Sequence, residues 1–242
     1  MKLAIMQPTF NSWLGYFDLI DYVDKFVFLD TVQVNHQSWQ TRNKLLIKKN
    51  EFLFSLPIIQ NKSKKDMLIK DTYLDLRKFD FKKKLYKTLV QNYKKAKYFN
   101  EVNKFIEEII FFETDFLSEY NINIIKQIVK KLNITTEMIV LSKTNYKLQY
   151  NKGDLILDLC KYFKTTHYIS PLGSKEYLEL VKDKFYVNNI NVLYQYYHHP
   201  VYNQLSDNFI PYIGIFDLLY NEGFKNSLNI IRSGSRYKSR KF

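Results

Sequence analysis

An α/β fold built on a mainly parallel, Rossmann-like sheet is predicted by three observations on this 242-residue chain. Two short apolar runs, at 2–6 and at "KFVFLD" (25–30), bracket a stretch in which Phe17, Ile20 and Val23 share one helical face. Such tight β-α-β spacing favours parallel pairing. Further strand-like runs recur between helical stretches, at "EMIVLS" (137–142), "THYIS" (166–170) and "NVLYQYY" (191–197). Hydrophobic residues make up 46% of the chain, enough for a packed core and too many for bulk disorder.

The remaining elements follow in order. After the second strand, "VQVNHQSWQTRNKLLI" and the alternating "NEFLFSLPII" flank Lys48-Lys49-Asn50, which predicts a β-hairpin element. Residues 82–132 carry helical periodicity without a strand: Val102, Phe105, Ile106 and Ile109 keep one face, and Ile122, Ile125, Val129 and Leu132 another. This reads as a helical insertion. A helix is expected over 154–163, a loop into a helix at "PLGSKEYLELV" (171–181), and a closing helix at "IGIFDLLYNEG" (213–223) capped by Gly223. No repeat or linker divides the chain, so residues 1–242 are expected to form a single domain.

Composition narrows the function classes. The one cysteine, Cys160, sits on an apolar helical face with Ile156, Leu159 and Phe163, so a buried thiol is expected and no internal disulfide can form. A cytoplasmic location fits. "MKLAIMQ" turns polar too soon for a signal peptide, and no run approaches the ~18 apolar residues of a membrane span. The net charge of +13 invites a nucleic-acid reading. Its lysines are scattered, however, and no RNA-binding motif accompanies the 20 tyrosines, so nucleic acid is not the expected partner. "NKSKKD" (61–66) and "KFDFKKKLYK" (78–87) read as solvated faces, whereas the basic C-terminal tail 231–242 is either a loose end or a phosphate contact.

Ligands of open parallel sheets bind outside the carboxyl ends of the strands. Polar, aromatic and imidazole residues gather in the stretches expected there. The first, "QPTFNSWLGY", offers Gln7, Trp13 and Tyr16, and two roles are open for its aromatics: walls of a pocket, or staples of the first helix onto the sheet. The second packs Asp30, Gln33, His36, Gln37, Trp39, Arg42 and Asn43 into fourteen residues. There an Arg can clamp an anion, a His can move a proton near neutral pH, and Asp30 can orient an imidazole or bind a sugar hydroxyl. "SPLGSKEY" offers Ser170, Gly173 and Ser174 ahead of a helix N-terminus. "YHHPVYNQ" offers two adjacent histidines, of which at most one can face a site, with His199 preferred over His198. His167, inside a short strand, reads as structural. Glycine-rich dinucleotide and P-loop motifs, zinc-spaced Cys/His and the G-x-S-x-G elbow do not occur.

Taken together, "QPTFNSWLGYFDLI", "DKFVFLDTVQ", "WQTRN", "SPLGSKEYL", "HPVYNQ" and "DLLYNEG" resemble, in order and over nearly the whole chain, the WbqC-like family of bacterial O-antigen and surface-polysaccharide genes. Ser12 departs from that family's usual Pro, and Pro171 stands beside the loop glycine; both affect loop shape more than chemistry. The resemblance implies a soluble sugar-modifying enzyme of surface-glycan assembly. The expected reaction is N-acylation of a nucleotide-linked amino sugar by a thioester on coenzyme A or an acyl carrier protein, with no tightly bound cofactor and no metal. His36, His199 and Asp30 are the expected catalytic groups. Gln7, Trp13, Tyr16, Gln37, Trp39, Arg42, Asn43, Ser170, Gly173 and Ser174 are the expected binding groups. Two alternatives stay open: a nucleotidyltransferase-like enzyme, against which stands the lack of any histidine in the first turn, and a basic RNA-binding module.

Overall fold

The computed structural model of the chain describes residues 1–35, 37–60, 67–77 and 80–239. Six strands form one sheet: β1 (Lys2–Met6), β2 (Lys25–Phe28), β5 (Glu137–Val140), β6 (His167–Pro171), β7 (Asn191–Gln195) and β8 (Tyr237–Ser239), in the order β5-β2-β1-β6-β7-β8. The first five are parallel and β8 is antiparallel to β7. The predicted α/β fold is therefore present. β3 (Arg42–Ile47) and β4 (Asn50–Ser55) form a separate antiparallel hairpin. Its two-residue turn, Lys48 and Lys49, has φ of 48° and 68°, the positive values a tight hairpin turn demands.

Strand alternation sorts the side chains into two cores, one on each face of the sheet. Ala4, Phe26, Phe28 and Ile169 join the larger core with α1 (Leu14–Tyr22), α2 (Phe81–Tyr93), α3 (Phe99–Ile110), α4 (Leu117–Lys131) and α8 (Ile215–Ser233). Leu3, Ile5, Val27 and Tyr168 face the opposite way, onto α5 (Lys152–Tyr162), α6 (Lys175–Glu179) and α7 (Lys182–Val187). Covering on both faces explains why these strands read as continuous apolar runs. The strand-free stretch 82–132 forms α2, α3 and α4, as its periodicity predicts. Cys160 is wholly buried in the smaller core, where burial pushes its thiol pKa far up.

Two ends differ from expectation. Gly223 does interrupt the last helix, with φ 67° and ψ 176°, but the chain resumes helical turns to Ser233. A Cβ at Gly223 would meet the Tyr98 ring at 2.6 Å, so the kink lets α8 pass over that ring. The basic tail is not a loose end as far as Ser239, where it forms β8 on β7. Arg232 forks onto Asp21 at 2.7 and 2.8 Å. Tyr237 stacks on Tyr22 with centroids 3.6 Å apart and donates its hydroxyl to Asp18 at 2.6 Å. Strand β8 thereby covers the edge of β7. The lysine clusters of 61–66 and 78–79, and tail residues 240–242, lie outside the described residues.

The topology fixes where a ligand crevice falls. From β1 the chain moves outward to β2 and β5, then returns to β6 on the other side of β1. The direction of winding therefore reverses at β1, and the carboxyl end of that strand, Met6-Gln7, is the switch point.

Candidate functional site

A cavity of about 290 Å³ opens at that switch point, lined by Met6, Thr9, Trp13, Tyr16, Trp39, Asn43, Lys44 and Tyr212. The volume lies at the small end of ligand sites. Four aromatic rings stand around it, and two of them are half exposed, Trp39 at 52% and Tyr212 at 49%. Lys44, the one charged lining side chain among the described residues, is paired with Glu51 at 2.8 Å.

The walls are held by amides rather than by regular structure. The first turn cannot close as a short polar loop, because Phe10 is fully buried and Asn11 sits at φ 43°. Asn43 supplies what the turn lacks, donating to the carbonyls of Phe10 and Asn11 at 2.8 and 3.0 Å while its own oxygen accepts from the Lys44 amide at 2.8 Å. Asn11 answers by donating to the Lys44 carbonyl at 3.2 Å and accepting from the Phe216 amide at 3.2 Å. Asn121 on α4 donates to the carbonyls of Pro8 and Gln40 at 3.2 and 2.8 Å. The Phe10 amide reaches the Trp39 carbonyl at 2.8 Å. Buried backbone groups of two irregular segments are thus satisfied across the gap between them, which fixes the loops without strands.

Trp13 fills both roles open to it. Its ring packs against the larger core and meets Tyr197 edge-on at 5.3 Å and Tyr212 at 5.8 Å, while also lining the cavity. Gly15 makes this possible: a methyl there would lie 2.3 Å from the indole. Tyr16 is buried, with its hydroxyl donating to the Gln7 carbonyl at 3.0 Å and its pKa raised by burial. Trp39 and Asn43 also line the cavity, as expected of the second segment.

Other expected residues stand elsewhere. Gln7 lies behind the wall, its side-chain oxygen taken by Gln40, and neither Gln7 nor Arg42 lines the cavity. Arg42 begins β3 and makes no ion pair among the described residues. Gln37 donates its amide to Asn35 at 3.1 Å in the exposed part of the loop. His36 lies outside the described residues. Ser170 is buried and donates to the Pro171 carbonyl, Gly173 faces open space, and neither they nor Ser174 line the cavity.

Asp30 does not orient His199. Its buried carboxylate accepts from the Ser142 amide at 3.0 Å, from the Ser142 hydroxyl and from the Ser118 hydroxyl at 3.4 Å. It ties the end of β2 to the end of β5 and to the first turn of α4. Sheet order also separates β2 from β7 by three strand steps, roughly 14 Å at the usual spacing.

His199 stands one ring behind the cavity wall. Tyr212, Tyr197, Tyr202 and Phe209 surround it at centroid distances of 5.1 to 6.3 Å. Its Nδ1 lies 3.1 Å from the Pro200 carbonyl. A carbonyl can only accept, so Nδ1 carries the proton and Nε2 holds a lone pair. Nε2 is buried without a partner among the described residues, and burial lowers the imidazole pKa. The result is a neutral imidazole with its basic nitrogen unspent. His198, its neighbour, is exposed.

Comparison with known proteins decides the lineage: the WbqC-like protein family matches residues 7–228. The chain belongs to the WbqC-like protein family. Among its relatives, the uncharacterized protein Rv1507c of Mycobacterium tuberculosis is 30% identical to this WbqC-like chain over 225 residues, 92% of this chain and 94% of its own length. No solved structure matches the chain. The matched span runs from Gln7 through most of α8, so it includes every cavity-lining residue except Met6. No described helix of this WbqC-like protein is long and apolar enough to cross a membrane.

Sequence reasoning missed Tyr212, Thr9, Met6 and Lys44 as lining residues. Met6 was readable as the end of β1, and Lys44 lies inside β3, two residues past its start. Tyr212 carried no signal, because it sits in an irregular segment at φ 62°, a conformation uncommon for an aromatic residue.

Proposed function

We propose that this WbqC-like protein is a sugar-modifying transferase of surface-polysaccharide assembly, N-acylating an amino group on a nucleotide-linked sugar. The observation that carries the reading is the ring-walled cavity at the switch point, with a neutral, unspent imidazole one ring away. Trp39 and Tyr212 offer flat faces to a base or to the C–H face of a pyranose, and Thr9 and Lys44 offer polar groups among them.

In this reading the amine nitrogen attacks the carbonyl carbon of a thioester carried by coenzyme A or an acyl carrier protein. The C–N bond forms, the C–S bond breaks, and the sulfur leaves as the thiol. The proton lost by the attacking nitrogen passes to His199 Nε2, whose lowered pKa keeps it unprotonated near neutral pH. A free amine needs no enzyme nucleophile, and Cys160, sealed in the core, supplies none. The net charge of +13 favours an acidic carrier protein or a phosphorylated donor through long-range attraction.

The test is a binding titration of UDP- and dTDP-linked amino sugars followed by tryptophan emission. Base or sugar stacking is worth ~1–3 kcal/mol per ring, so Trp39→Ala is expected to weaken binding roughly tenfold. Saturable binding that is indifferent to Trp39→Ala would place the sugar elsewhere.

A further inference from the structure

Tyr212 occupies the boundary between the cavity and His199. Its ring lies 5.8 Å from Trp13 on the cavity side and 5.1 Å from the His199 ring on the other. It is half exposed, and its backbone holds φ 62°, in the left-handed region that bulky side chains seldom enter. Such outliers persist where the surroundings over-determine them, and they gather at functional sites.

The surroundings here are firm on both sides of the half-exposed ring. On one side Tyr202 and Gln204 donate to the fully buried Asp217 at 2.8 and 2.9 Å, and Asn203 donates twice to Glu222 at 3.1 Å. On the other side Ile213 is fully buried and Gly214 donates to the Lys44 carbonyl at 3.2 Å. Gly214 admits no side chain, since a Cβ would lie 2.0 Å from the Asn11 amide. Residues 205–212 span these anchors: Gln204 accepts from the Ile210 amide at 2.8 Å and donates to its carbonyl at 3.0 Å, Asp207 pairs with Lys49 at 2.6 Å, and Leu205, Phe209 and Ile210 pack against the larger core, so Tyr212 lies just past the last of these ties. Tyr212 is the last residue before the second anchor, and its half-exposed side chain can change rotamer, swinging the ring without moving the core.

We propose that Tyr212 is a shutter that closes the cavity off from His199 Nε2, and that its outward swing exposes that nitrogen as a hydrogen-bond acceptor for an N–H or O–H of the occupant. The nitrogen needs such a partner, because it is desolvated and unpaired with the shutter closed. The inference rests on the cavity being the acceptor-sugar site, but its test needs no substrate.

Diethylpyrocarbonate acylates unprotonated imidazole nitrogen, and fragmentation mass spectrometry separates His199 from its neighbour. In the wild-type protein the exposed His198 is expected to react at least tenfold faster than His199. Tyr212→Gly, which suits a positive φ, is expected to raise the His199 rate tenfold or more while the His167 rate and the melting temperature hold. Tyr212→Phe keeps the ring and is expected to leave His199 slow. Should Tyr212→Gly melt prematurely, Tyr212→Asn tolerates the same backbone and gives the same reading. A crystal structure of the open variant is expected to show Nε2 lining one continuous cavity with Trp13. Wild-type His199 reacting as fast as His198, or His199 remaining slow in a folded variant without the ring, overturns the proposal. So does a structure in which another side chain fills the gap. Loss of sugar binding with the shutter result intact would fault the substrate reading alone.

Discussion

Gly15→Ala separates the cavity wall from the helix that carries it. A methyl at this second residue of α1 would lie 2.3 Å from Trp13 Cη2 and 2.6 Å from Cζ2 and Cζ3. Carbon atoms rest at about 3.5–4.0 Å, so the indole must retreat by more than ~1 Å. Three effects compete. Ala gains about 1 kcal/mol over Gly in a helix. Overpacking costs about 1–3 kcal/mol, and loosening the edge-on contact with Tyr197 costs a further ~0.5–1.5 kcal/mol. Packing wins, and a net loss of about 1–3 kcal/mol is expected. The chain has two tryptophans, so a Trp39→Phe background leaves Trp13 as the sole reporter. Urea unfolding is expected to shift to a lower midpoint in that background, with Trp13 emission moved to the red. A midpoint that rises by the helix-propensity gain, with emission unchanged, would refute the placement of the indole against Gly15.

Asp30→Ala removes the acceptor of the buried Ser118 hydroxyl and of the part-buried Ser142 amide and hydroxyl, and is expected to lower stability by about 1–3 kcal/mol in urea unfolding; no measurable loss would mean that the carboxylate does not hold the sheet end. Cys160 is buried with its thiol pKa pushed up, so it is expected to resist dithionitrobenzoate until the protein unfolds, and rapid reaction of the native chain would contradict its place in the core. The acid limb of kcat/KM follows from the sign of the His199 shift: a base must be unprotonated, and its pKa is lowered by burial among Tyr197, Tyr202, Phe209 and Tyr212. Activity is therefore expected to persist down to a pH below the usual imidazole value of about 6.5 and then to fall. A limb above that value, or one that survives in His199→Gln, would exclude His199 as the base.

Period and spacing carried the sheet into view. The inner parallel strands β1, β2 and β6 are buried on both faces, so each reads as a short apolar run between helical stretches, and nothing longer-range is needed to place it. The crevice followed from topology, and Trp13, Tyr16, Trp39 and Asn43 line it because their segments leave β1 and enter β3 at the switch point. What escaped depends on partners far along the chain. Asp30 looks like a catalytic carboxylate at a strand end until Ser142, 112 residues on, takes both its oxygens. Gly223 looks like a helix stop until the Tyr98 ring explains a kink that the helix survives. Tyr212 owes its place to a positive φ between two anchors, and no local pattern of residue types encodes that.

The central claim is that the switch-point cavity presents an amino sugar to an acyl thioester. Its most direct measurement is mass spectrometry of a panel of UDP- and dTDP-linked amino sugars incubated with the protein and acyl-coenzyme A or acyl carrier protein. One sugar is expected to gain the mass of an acyl group less one hydrogen, with one thiol released per sugar, and His199→Ala is expected to slow this by something like 10²–10⁴-fold while the fold is kept. A product carrying a nucleotidyl group instead, or acylation that proceeds undiminished in His199→Ala, would contradict it.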